Sequence, residues 1–194
     1  MSLTVGLTGP SGAGKSSIKS VAENLGFKVI DCDICAREAV KKGTDGLNAL
    51  KKAFGKEILN SNSELDRAKL AKIAFSTKEN TKLLNKTLLP YIVLIIREKM
   101  KGDYILLDAP TLFESGLDKE CDKTLAVLSD KEIRLKRIMQ RDGISKEASV
   151  LRLNAGKTDD FYIKNADNII YNNSRIESFL SETEEILKSY MKGI

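Results

Sequence analysis

The sequence contains no histidine, which excludes imidazole catalysis and the usual His-containing zinc sites and leaves a carboxylate or a lysine as the only general base. Cysteine is scarce. Of the three cysteines, Cys32 and Cys35 form a C-x-x-C, and only Cys121 remains to extend it. Packing, a redox pair and half of a metal site are the three readings of that motif, and its place between an apolar strand and a helix favours packing. Long apolar runs are also missing. The most apolar stretch, Leu88 to Ile96, is too short to span a bilayer and contains Pro90, so no membrane segment is expected. The chain opens on no signal-peptide pattern and has no internal repeat or low-complexity tract, so a cytoplasmic protein is expected.

What is present fits one α/β core with a helical insertion: 194 residues suffice for that and not for a second independent domain. Thirty-two Lys and Arg against 27 Asp and Glu leave a charge of +5, which suits phosphate-rich small ligands as well as nucleic acid.

Gly9-Pro10-Ser11-Gly12-Ala13-Gly14-Lys15-Ser16 fits the phosphate-binding loop pattern G-x-x-x-x-G-K-[ST], and Ser17 adds a second hydroxyl. The context agrees with the motif. Leu3 to Thr8 is an apolar, β-branched run that leads in, and Ile18, Val21, Ala22 and Leu25 repeat at helical spacing until Gly26. Backbone N–H groups must wrap a triphosphate closely, and glycines at 9, 12 and 14 remove the Cβ atoms that obstruct them. Lys15 is then expected to reach the β and γ phosphates, Ser16 to ligate Mg²⁺, and the helix amino end to add its partial positive charge.

A second strand, Phe27 to Ile30, ends in Asp31-Cys32-Asp33. In parallel sheets ligands bind beyond the carboxyl ends of strands, so this pair reads either as a ligand site or as caps for a helix over 34–41. From Gly43 to Gly102 the pattern is helical with no convincing strand, too long for a simple crossover, and part of it reads as an inserted acceptor-binding domain. Arg37 and Arg67 stand at its edges, either as solvated charges or as fork-shaped phosphate donors. Tyr104 to Asp108 is a third strand whose terminal Asp108 has the form that assists Mg²⁺, and Pro110, Leu112, Phe113 and Glu114 follow at the same catalytic edge. Thr124 to Leu128 is a fourth strand. A helix over 130–141 sets Arg134, Arg137 and Arg141 within about 60° on one face, a stripe that reads as solvated or as a phosphate-closing lid. A further helix over 146–155, a fifth strand Asn168 to Tyr171 and an amphipathic helix over 176–191 complete the chain.

Together with Gly6-Leu7-Thr8-Gly9, the segments Asp31-x-Asp33-x-x-Ala36-Arg37, Leu65-x-Arg67-x-x-Leu70, Pro110-x-Leu112-Phe113-Glu114, Arg137-x-x-Gln140-Arg141 and Ala166-Asp167 through Asn173 resemble the dephospho-CoA kinases over about 5–173. The resemblance implies a three-layer α/β fold of phosphate-loop kinase type around a five-stranded parallel sheet. It implies a core of 1–33, 103–129 and 166–194, a helical acceptor insertion over about 34–102 and a lid over about 130–165. It further implies that ATP, with Mg²⁺, phosphorylates the ribose 3′-hydroxyl of dephospho-CoA, with Asp33 as base and Lys15 and Arg141 catalytic. ATP would meet Gly9, Ser11 to Ser17, Arg137, Arg141 and Asn173; the acceptor would meet Asp31, Asp33, Arg37, Arg67, Pro110, Leu112, Phe113 and Glu114; Ser16 and Asp108 would serve the metal. Neither nucleic acid nor membrane is expected as a partner, and the enzyme is expected as a monomer or small homo-oligomer. Four positions depart from the family pattern: Leu89 where His is usual, Gly156 where Gln is usual, Thr111 and Ser174. Another small-molecule kinase, such as a nucleoside monophosphate kinase, is the nearest alternative. A GTPase-type switch lacks its motifs here, because Asn85-Lys86 continues as Thr87-Leu88.

Overall fold

Leu3–Thr8 (β1) is buried at all six positions, as an apolar, β-branched run in the middle of a parallel sheet must be. The computed structural model describes residues 2–193. In it β1 is flanked by Tyr104–Asp108 (β3) and Lys123–Leu128 (β4), with Lys28–Asp31 (β2) and Asn168–Tyr171 (β5) outermost, in the order β2-β3-β1-β4-β5. The sheet is parallel, with Val5 opposite Leu106 on one side and Lys123 on the other, and Leu128 opposite Tyr171. Between the strands run Lys15–Asn24 (α1), Cys32–Ala39 (α2), Asp45–Phe54 (α3), Arg67–Ala74 (α4), Lys78–Lys99 (α5) and Leu112–Ser115 (α6). Lys131–Asp142 (α7), Lys146–Asn154 (α8), Asp159–Asn165 (α9) and Ile176–Lys192 (α10) follow. Among these residues no helix is long and apolar enough to cross a membrane.

The pleat of β4 decides what covers each face. Leu125 and Val127 join Ile18 and Ala22 of α1 and Phe179 and Leu187 of α10 in one core, while Ala126 and Leu128 pack with Tyr162 of α9 in another. Helices therefore lie on both faces, giving the three layers expected.

By its internal contacts the chain forms two compact units. The first comprises Met1–Ile30, Gly102–Glu114 and Asp118–Ile194; the second comprises Asp31–Lys101 with Ser115–Leu117. The second has its own apolar centre of Val40, Leu50, Phe54, Ile58, Leu70 and Ala74. Its longest helix, α5, runs through Pro90, which cannot donate the hydrogen bond an interior position normally makes.

Several local features differ from the sequence reading. α2 starts at Cys32 rather than Ile34, because the Asp31 carboxylate accepts from the Ile34 N–H at 3.1 Å and caps the first turn. An isolated antiparallel bridge joins Leu59 to Leu65 within the helical stretch. The loop it closes is organised by Asn60, whose Oδ1 accepts from the N–H groups of Asn62 and Glu64, each at 2.9 Å. The helices α6 and α9 were not anticipated, since four and seven residues are too few to display a 3.6-residue period.

Candidate functional site

The loop between β1 and α1 holds its shape through glycines that no other residue can replace. Gly9, Gly12 and Gly14 have φ of 138°, 80° and 105°. Sterics add to this: a Cβ on Gly9 would stand 2.2 Å from the Val127 carbonyl oxygen, and one on Gly14 would stand 2.1 Å from Asn172 Nδ2. Lys15 Nζ lies across the loop and donates to the Gly9 carbonyl at 2.6 Å. Gly14 is the N-cap of α1, and no side chain caps this helix end, which leaves its amino end to an anion. Ser16, one residue into the helix, is exposed.

The three arginines of α7 meet three different surroundings. Arg134 is only 8 % exposed and pairs with Asp159 at 3.3 Å, so it is no part of a solvated stripe. Arg137 turns to the phosphate loop: Nη1 donates to the carbonyls of Gly12 (3.4 Å) and Ala13 (3.3 Å) and to Ser129 Oγ (3.3 Å), and Nη2 donates to Asn172 O (3.2 Å) and Oδ1 (3.1 Å). Burial lowers its pKa. Arg141 is exposed; it forms a two-pronged pair with Asp142 at 2.8 and 3.0 Å and reaches Ser11 Oγ at 3.4 Å. That pairing raises the pKa of Arg141 and holds the Asp142 carboxyl below the usual carboxylate range. Arg152 of α8 also donates to Asp142, at 2.5 Å.

Asn173, expected at the nucleotide, is tied to the start of α7, donating to Asp130 Oδ1 and accepting from the Asp130 N–H, both at 2.8 Å. The residue that touches the loop is its neighbour Asn172, which sequence reasoning passed over. It is 4 % exposed, and its Nδ2 donates to the Ala13 carbonyl at 2.9 Å. The run Asn172-Asn173-Ser174 after a strand was the available signal, but alternation alone does not say which amide faces inward.

Asp108 ends β3 and is 8 % exposed. Its Oδ2 accepts from Lys19 Nζ at 2.8 Å, whereas Oδ1 is buried with no hydrogen-bond partner among the described residues. An unspent carboxylate oxygen and the exposed Ser16 hydroxyl are hard oxygen donors of the kind Mg²⁺ takes. No group of three or more His, Cys, Asp or Glu able to hold a metal occurs among the described residues, and an ion that relies on substrate phosphates and water does not require one. After β3, Pro110 accepts from the Thr8 hydroxyl at 3.3 Å. Leu112, expected to touch acceptor, is instead fully buried against Gly6, so it anchors this segment from within. Phe113 packs edge-on to Phe161 at 6.0 Å. Glu114 stands close enough to Tyr162 to reinforce burial, which pushes that phenol up to about 12.

In the second unit, Asp31 is consumed as the cap of α2, while Asp33 is exposed in its first turn. Arg37 lies in the last turn of α2, and Arg67 opens α4 next to its cap Asp66; both are exposed. Cys32 and Cys35 are buried, and burial raises the Cys35 thiol pKa, opposite to what a redox pair needs. Beside them Lys99 pairs with Glu38 at 2.5 Å, joining α5 to α2. Leu89 comes within 3.5 Å of where a Cβ on Gly116 would sit.

The family model and the curated relatives agree. The family model described as dephospho-CoA kinase matches residues 3–178. The dephospho-CoA kinase of Geobacillus kaustophilus is 38 % identical over 200 residues, covering 98 % of each chain, and that of Fusobacterium nucleatum is 36 % identical over 190 residues, covering 96 % of this chain and 98 % of the other. Among solved structures, the dephospho-CoA kinase from Campylobacter jejuni superposes with a TM-score of 0.67 at 30 % identity over 100 % of this chain and 99 % of that one. The shikimate kinase from Acinetobacter baumannii, with a TM-score of 0.55 at 15 % identity over 100 % of this chain and 95 % of that one, shares the fold.

Proposed function

The chain belongs to the dephospho-CoA kinase family, and we propose that it transfers the γ-phosphoryl group of ATP to the ribose 3′-hydroxyl of dephospho-CoA, giving coenzyme A and ADP in the last step of coenzyme A synthesis. The observation that carries this reading is a match over nearly the whole chain, joined to a glycine loop at positive φ that leads into a helix amino end with no side-chain cap.

Phosphoryl transfer asks for positioning and charge neutralisation more than for covalent chemistry. The N–H groups of the loop and the amino end of α1 hold the phosphates. Lys15 leaves the Gly9 carbonyl to meet the β and γ phosphates, a short move for a side chain already lying across the loop. Ser16 and Asp108 would hold Mg²⁺, which when bound supplies charge neutralisation at the transferring phosphate. Arg141, aimed past Ser11, adds its charge as the 130–165 segment closes. Arg137 acts on the nucleotide through the loop it holds. Asp33 orients the acceptor hydroxyl and takes its proton, the role a chain without histidine assigns to a carboxylate. Asp31 supports it as the helix cap. Arg37, Arg67 and the Pro110–Glu114 segment serve the acceptor, within a helical insertion over about 34–102. We place the enzyme in the cytoplasm, as a monomer or small homo-oligomer without nucleic acid or membrane partners.

A coupled ADP-release assay run with dephospho-CoA, AMP, shikimate or no acceptor tests this. Release that depends on dephospho-CoA supports the reading; equal release with AMP or with no acceptor overturns it.

A further inference from the structure

The outer face of the phosphate loop carries a hydrogen-bond network built on Arg137, Asn172 and Ser129. Asn172 Nδ2 and Arg137 Nη1 converge on the Ala13 carbonyl at 2.9 and 3.3 Å, and Arg137 also reaches the Gly12 carbonyl. Ser129, 1 % exposed, ties the two together: its hydroxyl donates to Asn172 O at 3.0 Å and accepts from Arg137. Asn172 is itself fixed, because its N–H donates to the Leu128 carbonyl at 2.8 Å, continuing the β4–β5 ladder.

A trans peptide points its C=O and the next N–H in opposite directions. Pinning the Ala13 carbonyl outward therefore turns the Gly14 N–H to the concave side of the loop. Pinning Gly12 holds the adjacent turn, in which the Ala13 N–H donates to the Pro10 carbonyl at 3.3 Å. Left-handed glycines permit this backbone and do not enforce it, since glycine visits many conformations. Something outside the loop has to select one.

We propose that Arg137 and Asn172 are positioning residues that preset the phosphate loop for its anion, Arg137 acting on the loop backbone rather than on the nucleotide. This rests on the loop being a nucleotide-phosphate site, as proposed above. A preset loop binds phosphate without ordering its own backbone first, so the gain falls on phosphate-bearing ligands alone. Arginine suits the task because its planar fork spans two acceptors at once, which a lysine ammonium cannot reproduce.

The test compares Arg137→Met, Arg137→Lys and Asn172→Asp with the unaltered full chain. Asn172→Asp preserves shape but sets an oxygen against the Ala13 carbonyl. Calorimetry with ADP, inorganic pyrophosphate and adenosine, beside thermal melts, gives the readout. ADP and pyrophosphate should each bind about 30-fold more weakly in all three variants, the scale of one lost charge-assisted hydrogen bond. Adenosine should bind within about twofold of the unaltered chain, and Arg137→Lys should rescue little. Substantial rescue by lysine would make Arg137 a point charge on the ligand and overturn the proposal. A fall in adenosine affinity would place Arg137 against the base, and equal losses for all three ligands with a lowered melting temperature would mean a purely structural role; either sinks it. An unaltered chain that binds neither ADP nor pyrophosphate would overturn the functional reading itself, whatever acceptor is used.

Discussion

The phosphate loop of the first unit and the helical second unit are built under opposite constraints. In the loop the glycine positions have one permissible residue: a Cβ on Gly9 would meet the Val127 carbonyl oxygen and one on Gly14 would meet Asn172. The second unit asks only for apolar volume at helical spacing, supplied by Leu50, Phe54, Ile58 and Leu70, and Leu, Ile and Met exchange at such sites at small cost. Chemistry follows the same divide. In the function proposed above the loop would bind with backbone groups, so its specificity would be written into conformation, whereas the second unit presents separate side chains, Asp33, Arg37 and Arg67, on ordinary helices. A change to the loop should therefore act on turnover, and a change to the helical core should act on stability.

The largest expected effect tests the loop. Lys15→Ala should lower turnover by about 10⁴-fold, or about 5.5 kcal/mol of barrier, with circular dichroism unchanged; activity within about threefold of the unaltered enzyme would remove the loop from the mechanism. Asp33→Asn comes next, because it is the one residue of the second unit expected to behave like the loop. Turnover should fall about 10³-fold while ATP and dephospho-CoA bind nearly as before in a calorimetric titration. Normal turnover, or loss of ATP binding as the cause, would end its assignment as base.

Leu50→Ala tests the other side of the divide. Stability to urea should fall by about 3 kcal/mol, with turnover of the folded fraction within about twofold; a selective loss of turnover would join the helical core to the chemistry. Arg141→Ala should reduce kcat about 30-fold, about 2 kcal/mol, and change acceptor KM less, since a closing arginine meets phosphate charge fully only at the transition state. A pure KM effect would move Arg141 to the acceptor site. The pair it forms with Asp142 sets a pH window. The depressed Asp142 carboxyl contributes above its unfolded value, about 4, and loses that contribution only as pH falls through its lower folded value. An activity decline between pH 7 and 5 that Asp142→Asn abolishes would contradict this. The smallest effect is expected from Cys32→Ala combined with Cys35→Ala: activity within about threefold, because both thiols are buried and Cys35 is held protonated. A disulfide that switches activity would reverse that assignment.

The sequence by itself determined the strand-loop-helix of the phosphate site, the strands and most of the helices, because glycine at positive φ, apolar runs and helical periodicity are local requirements that leave a local pattern. It also supplied the family, through motifs spread over the chain. Tertiary structure decided which side chains those elements turn toward one another. Arg134, Arg137 and Arg141 share one helical face and look alike in sequence, yet they end on Asp159, on the phosphate loop and on Asp142 with Ser11. Asn172 and Asn173 are adjacent amides, and one faces the loop while the other is tied to Asp130 at the start of α7. Leu112 sits in a segment that reads as a binding surface and is buried beneath Gly6. Local spacing fixes the direction of a side chain, but the Ala13 carbonyl that both Arg137 and Asn172 meet lies more than a hundred residues away from either, and only packing brings them together.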